Sequence, residues 1–141
     1  MAVVDAAGHV AGRLASLVSK RLLRGETIAV VNAEQAILTG GRAWLFAEFR
    51  HRRDIGSSRK GPYYPARPDR ILHRTIRGML PYQRPHGRAA LRRLRVYVGI
   101  PEDLRDQPLE RAEVATRITT TRYATLAEIS RRLGARFEVE R

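Results

Sequence analysis

The chain has no cysteine and only two lysines, Lys20 and Lys60. Without thiols it can form no disulfide, no thiolate nucleophile and no Cys-based zinc site. No apolar run approaches the ~20 residues that span a bilayer, so no membrane partner is expected. The opening Met1-Ala2-Val3-Val4-Asp5 lacks a basic stretch and a long apolar stretch, so no signal peptide is expected. His9, His51, His73 and His86 are scattered, none at H-x-x-x-H spacing, and no metal site is expected. Carboxylates are scarce where the cations are dense and form no obvious acid–base dyad. Nothing marks Ser57-Ser58 as a nucleophile. The expectation is a protein with no catalytic constellation, no cofactor and no small-molecule substrate.

What is present is a globular composition. The 141 residues are 43% hydrophobic and 29% charged, which fits one domain over 1–141 that buries roughly two-thirds of its unfolded surface. Basic residues number 27 against 14 acidic, a formal net charge of +13. Such an excess repels itself in a compact chain and points to a polyanionic partner. Nearly all of it is arginine, whose planar fork binds phosphate bidentately and stacks on bases. The excess is also local. The stretch 42–95 holds 14 Arg and Lys60 against Glu48, Asp54 and Asp69, a net of +12. The remaining residues, 12 basic against 11 acidic, net only +1. A local block of this kind suits phosphate neutralisation better than general solubility.

The pattern predicts an α/β fold. Ala2–Asp5 reads as a buried strand, Val10 to about Arg24 as an amphipathic helix stopped at Gly25, and Thr27–Val31 as a second buried strand. Strand, helix and strand in about 30 residues is the βαβ pattern. Ala36–Leu38 reads as a further short strand. Thr39-Gly40-Gly41 opens a helix to about Arg53, with Leu45, Phe46 and Phe49 inward. Asp54–Pro68, rich in Gly, Pro and Ser, reads as a loop. Asp69 is read as the cap of a helix that ends near Leu80-Pro81. After a turn at Gln83–His86 follow a short helix, Gly87–Arg93, and a strand, Arg95–Val98. Pro101–Pro108 reads as a polar loop. Thr125-Leu126-Ala127-Glu128 is a capping box that opens a helix closed by Gly134.

Three segments carry the functional argument. In the helix after Asp69, Arg70, Arg74 and Arg77 at i, i+4, i+7 line one face, and Leu72, Ile76 and Met79 lie nearly opposite. The loop around Arg50–Arg67 interleaves cations, glycines and the pair Tyr63-Tyr64, which suits phosphate approach and base stacking. Gly8-His9-Val10-Ala11-Gly12-Arg13 sits where dinucleotide loops sit, between strand and helix. It is neither G-x-G-x-x-G nor a P-loop, and tight turning and close packing explain its glycines better.

These blocks resemble one family. Val4-Asp5-Ala6 followed by Gly12-Arg13-Leu14-Ala15-Ser16 is similar to its first strand–turn–helix. Gly25-Glu26, Val30-Val31-Asn32-Ala33-Glu34 and Thr39-Gly40 are similar to its second block. Arg74-Thr75-Ile76-Arg77-Gly78-Met79-Leu80-Pro81 is the most specific match, and Arg95-Val96-Tyr97-Val98-Gly99-Ile100-Pro101 follows it. In order and spacing, from about Val3 to Pro101, they resemble the universal large-subunit ribosomal protein family numbered thirteen. Gly61-Pro62-Tyr63-Tyr64-Pro65-Ala66-Arg67-Pro68 and Thr125–Ile129 look like its archaeal and eukaryotic branch. The long C-terminal extension common in eukaryotic members is not seen, so the archaeal type is nearer.

The resemblance implies a three-layer α/β/α fold around a small, mainly parallel sheet, with a basic loop and helix inserted. It further implies large-subunit ribosomal RNA and neighbouring ribosomal proteins as partners, in the cytoplasmic ribosome. The expected phosphate contacts are Arg50, Arg52, Arg53, Arg59, Lys60, Arg67, Arg70, Arg74, Arg77, Arg84, Arg88 and Arg92. Tyr63 and Tyr64 are the expected stackers, and Gly78 and Pro81 shape the turn. Two other readings make different predictions. An enzyme using the first strand–helix turn would bind a mononucleotide through Gly8 and Gly12. A free nucleic-acid-binding protein would bind duplex DNA as tightly as ribosomal RNA.

Overall fold

In the computed structural model, which describes residues 1–56, 59, 63–116, 118 and 120–139, two short apolar segments near the N-terminus organise the core. These are β1 (Ala2–Asp5) and β2 (Ile28–Val31), joined by α1 (Ala11–Leu23). They pair in parallel, Ala2 opposite Ile28 through Asp5 opposite Val31. This is the expected βαβ unit. β4 (Leu94–Val96) adds in parallel to the outer side of β2, and β5 (Leu109–Glu110) to the outer side of β1. The sheet order is therefore β4-β2-β1-β5.

Alternation along the strands divides the core between two faces. Val4, Ile28 and Val30 face the larger cluster, with Leu14, Val18 and Leu22 of α1 and Leu72 and Ile76 of α3 (Pro68–Gly78). Val3, Ala29 and Val31 face the other way, against Leu104, Tyr97 and Ile100. The layers are unequal. One is a packed group of helices, while the other is the 97–104 segment with its 3-10 turn at Glu102–Leu104. The polar loop expected at 101–108 thus contributes a core residue, Leu104, which is only 4% exposed.

A second, two-stranded sheet lies outside the first. β3 (Ile37–Thr39) pairs antiparallel with β6 (Tyr123–Thr125), which follows the one-turn helix α5 (Glu113–Thr116) and leads directly into α6 (Leu126–Arg132). The capping box is formed: Thr125 Oγ1 accepts from Glu128 N, and Glu128 Oε2 accepts from Thr125 N, both at 3.3 Å. α2 (Arg42–Asp54) buries Leu45 and Phe49, with Phe46 partly buried. α4 (Pro85–Arg92) begins two residues earlier than the sequence suggests, because Pro85 occupies its first turn.

Two expectations for α3 need correcting. Asp69 is not its cap. Arg67 holds that position in extended conformation, Pro68 opens the helix, and Asp69 lies in the first turn, where its charge complements the helix dipole. Met79 is not core: it is 45% exposed. The helix ends at Gly78, Met79 becomes the C-cap, and the chain turns so that Leu80 takes the buried place.

Candidate nucleic-acid interface

The basic surface is built around Tyr64. Its backbone carbonyl accepts a 2.7 Å bond from Arg53 Nη1, which ties the 63–67 segment to the end of α2. Its ring meets Phe49 edge-on, with centroids 5.8 Å apart and planes at 73°. Arg52 of α2 and Arg74 of α3 both lie against this ring, their guanidinium carbons 5.8 and 4.6 Å from its centroid. Tyr64 thus works inside the protein, holding two cations from different helices near one point. Tyr63 differs. It is 54% exposed, and its ring lies against Gly56 so closely that a Cβ there would overlap it.

α3 presents the expected faces. Ile71, Leu72 and Ile76 are buried. Arg70 is exposed, and Arg74 and Arg77 are half-buried toward the opposite side. Arg77 lies over the ring of Tyr82 at 4.9 Å, and its Nε is buried with no hydrogen-bond partner. His73, on the same helix, has its pKa held below the usual imidazole value of 6.5, first by burial and then by the charges of Arg77 and Arg95.

α4 continues the surface. Gly87 packs on the Pro81 carbonyl, and a Cβ at this position would overlap that oxygen. The helix can sit over the turn only without a side chain there. Arg88 donates to the carbonyls of Tyr82 (3.2 Å) and Gln83 (3.4 Å). Arg84 and Arg92 are exposed. Arg93 has a structural task instead, its Nη2 donating to the Leu22 carbonyl at the end of α1 at 2.6 Å.

Acids touch only part of this array. Arg50, Arg52 and Arg67 pair with Asp54, Glu48 and Asp69 at 3.2–3.4 Å. Among the described residues, Arg70, Arg74, Arg77, Arg84, Arg88 and Arg92 lie in no ion pair. Cations gathered this way without neutralisation leave an electrostatic demand that an anion can meet. Arg59 is exposed, and Lys60 lies outside the described residues.

The sequence reading missed cations beyond residue 95. The C-terminal turn of α6 comes alongside the 63–67 segment, so Arg131 and Arg136 border the same region. Their local charge in the sequence gives no sign of this.

The first strand–helix turn is already filled by the protein's own chain. Ala7 N donates to Asp5 Oδ1, Gly8 N to the Gln35 carbonyl, His9 N to the Ala6 carbonyl and Val10 N to the Ala115 carbonyl. Arg111 pairs with Asp5 at 2.9 Å and donates to the Ala7 carbonyl at 3.0 Å. His9 is fully buried; Nδ1 lies 3.0 Å from the Ala7 carbonyl, and Nε2 accepts from Ala112 N at 3.0 Å. The turn's own amides, from Ala7 to Val10, are thus consumed internally and are not free to cradle a nucleotide phosphate.

These features define a class: a small parallel α/β protein whose specialised surface is a guanidinium array on two helices and the segment before them. The profile described as ribosomal protein L13 matches residues 1–103. The large ribosomal subunit protein uL13 of Archaeoglobus fulgidus is 50% identical over 137 residues, covering 95% of this chain and 88% of that protein. Its counterparts in Methanosarcina barkeri and Methanocaldococcus jannaschii are 50% and 48% identical, each covering 97% of this chain and their own full length. The chain belongs to the ribosomal protein L13 family, in its archaeal form, a family of structural proteins rather than enzymes.

Proposed function

We propose that this protein is a structural constituent of the large ribosomal subunit in the cytoplasm. It binds folded large-subunit ribosomal RNA, lies against neighbouring ribosomal proteins and aids assembly by holding RNA segments together. The observation that carries this reading is the set Arg70, Arg74, Arg77, Arg84, Arg88 and Arg92, unpaired with acids among the described residues and mounted on helices whose other sides are core. Guanidinium groups held at fixed spacing match the phosphates of a folded RNA better than those of a flexible strand. The names of the relatives supply the class of polyanion.

Within this proposal Arg50, Arg52, Arg53, Arg59, Lys60 and Arg67 contact phosphate beside the six. Tyr63 is the available stacker, and Tyr64 contributes by positioning Arg52 and Arg74. The test is sedimentation of the native protein with large subunits after a high-salt wash. Retention there supports the reading. Release into the free pool, with duplex DNA bound as tightly as ribosomal RNA, would replace it with that of a free nucleic-acid-binding protein.

A further inference from the structure

Two contiguous grooves run between the 63–67 segment and the C-terminal turn of α6. The first, about 330 Å³, has Tyr63, Arg67 and Arg70 on one side and Gly134 and Ala135 on the other. The second, about 600 Å³, continues from Arg67 and Ala135 to Arg131, Arg136, Phe137 and one carboxylate, Glu138, so that three arginines face a single acid there. Both volumes fall in the range of small-ligand pockets. Arg67 and Ala135 line both, so this is one channel with one wall from the basic stretch 42–95 and the other from the C-terminal segment.

Its chemistry is selective. The inner groove is lined by guanidinium groups, aromatic rings and small residues, with no carboxylate in its wall. Tyr63 is backed by Gly56 and has much of its ring uncovered. On the outer stretch Arg131 lies over the Phe137 ring at 5.3 Å, which holds the cation at the rim. An A-form duplex presents a broad convex face of phosphates and cannot enter a concavity of this size. An unpaired nucleotide can, with its base on an aromatic ring and its phosphate on arginine.

We propose that this channel receives an unpaired nucleotide of the RNA, its base against Tyr63 and its flanking phosphates on Arg67 and Arg70 on one wall and Arg136 on the other. The proposal rests on the RNA-binding reading above and assigns part of the contact to a C-terminal segment, 126–141, whose four arginines against three glutamates net only +1. It also gives the 63–67 segment a role that charge alone does not.

The test uses full-length protein on archaeal large-subunit ribosomal RNA, with single-nucleotide chemical probing and affinity measured on the same samples. Wild-type protein is expected to protect an unpaired nucleotide. Tyr63→Ala and Arg136→Gln, on opposite walls, are each expected to re-expose that same nucleotide. Tyr63→Ala should weaken binding about 5- to 150-fold, the effect of one lost stack. Gly56→Ala, which displaces the ring without removing it, should re-expose the nucleotide too. Arg122→Gln, an equal loss of charge elsewhere, should leave it protected. Unchanged melting temperatures for Tyr63→Ala and Arg136→Gln show that the fold is intact. Binding by wild-type with no unpaired nucleotide protected, or re-exposure at unrelated or paired positions, overturns the channel and leaves the RNA-binding reading standing. Absence of wild-type binding overturns both.

Discussion

The guanidinium of Arg74 stacks on Tyr64, its carbon 4.6 Å from the ring centroid, and so joins the arginine face of α3 to the segment before it. Arg52 reaches the same ring from α2. Two guanidinium groups meet at one ring; Arg52 has an acid partner, Glu48 at 3.2 Å, and Arg74 lies in no ion pair among the described residues. The ring quadrupole contributes about 0.5–2 kcal/mol per cation depending on exposure, which offsets part of their repulsion and fixes their spacing. Tyr64→Ala is therefore expected to act twice. It removes half-buried ring contacts, costing less than the ~3–5 kcal/mol of a fully buried aromatic, and it frees Arg52 and Arg74. Thermal unfolding should drop and RNA affinity should fall together. Tyr63→Ala should lower affinity alone.

The two sides of α3 separate stability from binding. Ile76 is fully buried, and Ile76→Ala should cost about 2–5 kcal/mol through lost contacts and a residual cavity. Denaturant titration should show that loss, with RNA affinity kept where the protein still folds. Arg74→Ala should do the opposite: weaker RNA binding and a midpoint shifted only by the lost ring contact. Equal effects of both substitutions on both quantities would refute the assignment of faces.

Gly87 sets the approach of α4 to the turn at Pro81. Since a Cβ there would overlap the Pro81 carbonyl, Gly87→Ala must displace the helix or the turn. Overpacking of this kind costs about 1–3 kcal/mol. The variant should melt at lower temperature and present Arg88 and Arg92 out of register, so that RNA affinity falls although no charge is lost. Gly78→Ala, with open space at its Cβ, is the contrasting variant and should change stability little or favourably, given alanine's higher helix propensity.

His73 gives a pH signature. Its folded-state pKa lies below the usual imidazole value of 6.5 because burial, Arg77 and Arg95 disfavour the imidazolium. In the window between the folded and unfolded values, the unfolded chain binds more protons, so stability rises with pH. His73 contributes its full share above about 6.5 and loses it as pH falls through the lower, folded value. Melting temperature measured from pH 7.5 downward should therefore decline through this window, and His73→Gln should flatten that part of the profile. RNA phosphates beside Arg77 would relieve the repulsion, so binding near pH 6 should take up protons, measurable as a buffer-dependent heat in calorimetry.

Much of the fold was legible because local pattern and tertiary demand agree. β1, α1 and β2 announce themselves by burial and periodicity, and α6 by its capping box. What escaped depends on distant partners. β5 is two exposed residues that count as a strand only because β1 offers an edge. β6 exists through pairing with β3, far away in sequence. Met79 fits a helical stripe, but the helix stops one residue before it. For the surface, a charge window located the arginines of 42–95. It was blind to Arg131 and Arg136, whose own neighbourhood is nearly neutral and which reach the same region only after folding. Nor could composition tell Tyr63 from Tyr64. One ring is uncovered and the other holds Phe49, Arg52 and Arg74.

The most direct measurement is the salt dependence of affinity for a large-subunit ribosomal RNA fragment, wild type against the triple variant Arg70→Gln, Arg74→Gln, Arg77→Gln. If the arginine array neutralises about six to ten phosphates, wild-type affinity should fall by roughly 10³-fold or more between 50 and 200 mM salt on the duplex scale. Each lost phosphate contact should reduce the logarithmic slope by about one, so the triple variant should bind more weakly at low salt and with a slope shallower by about three. A flat wild-type salt dependence, or a triple variant with the wild-type slope, would contradict the claim that this face of α3 is where the protein meets RNA.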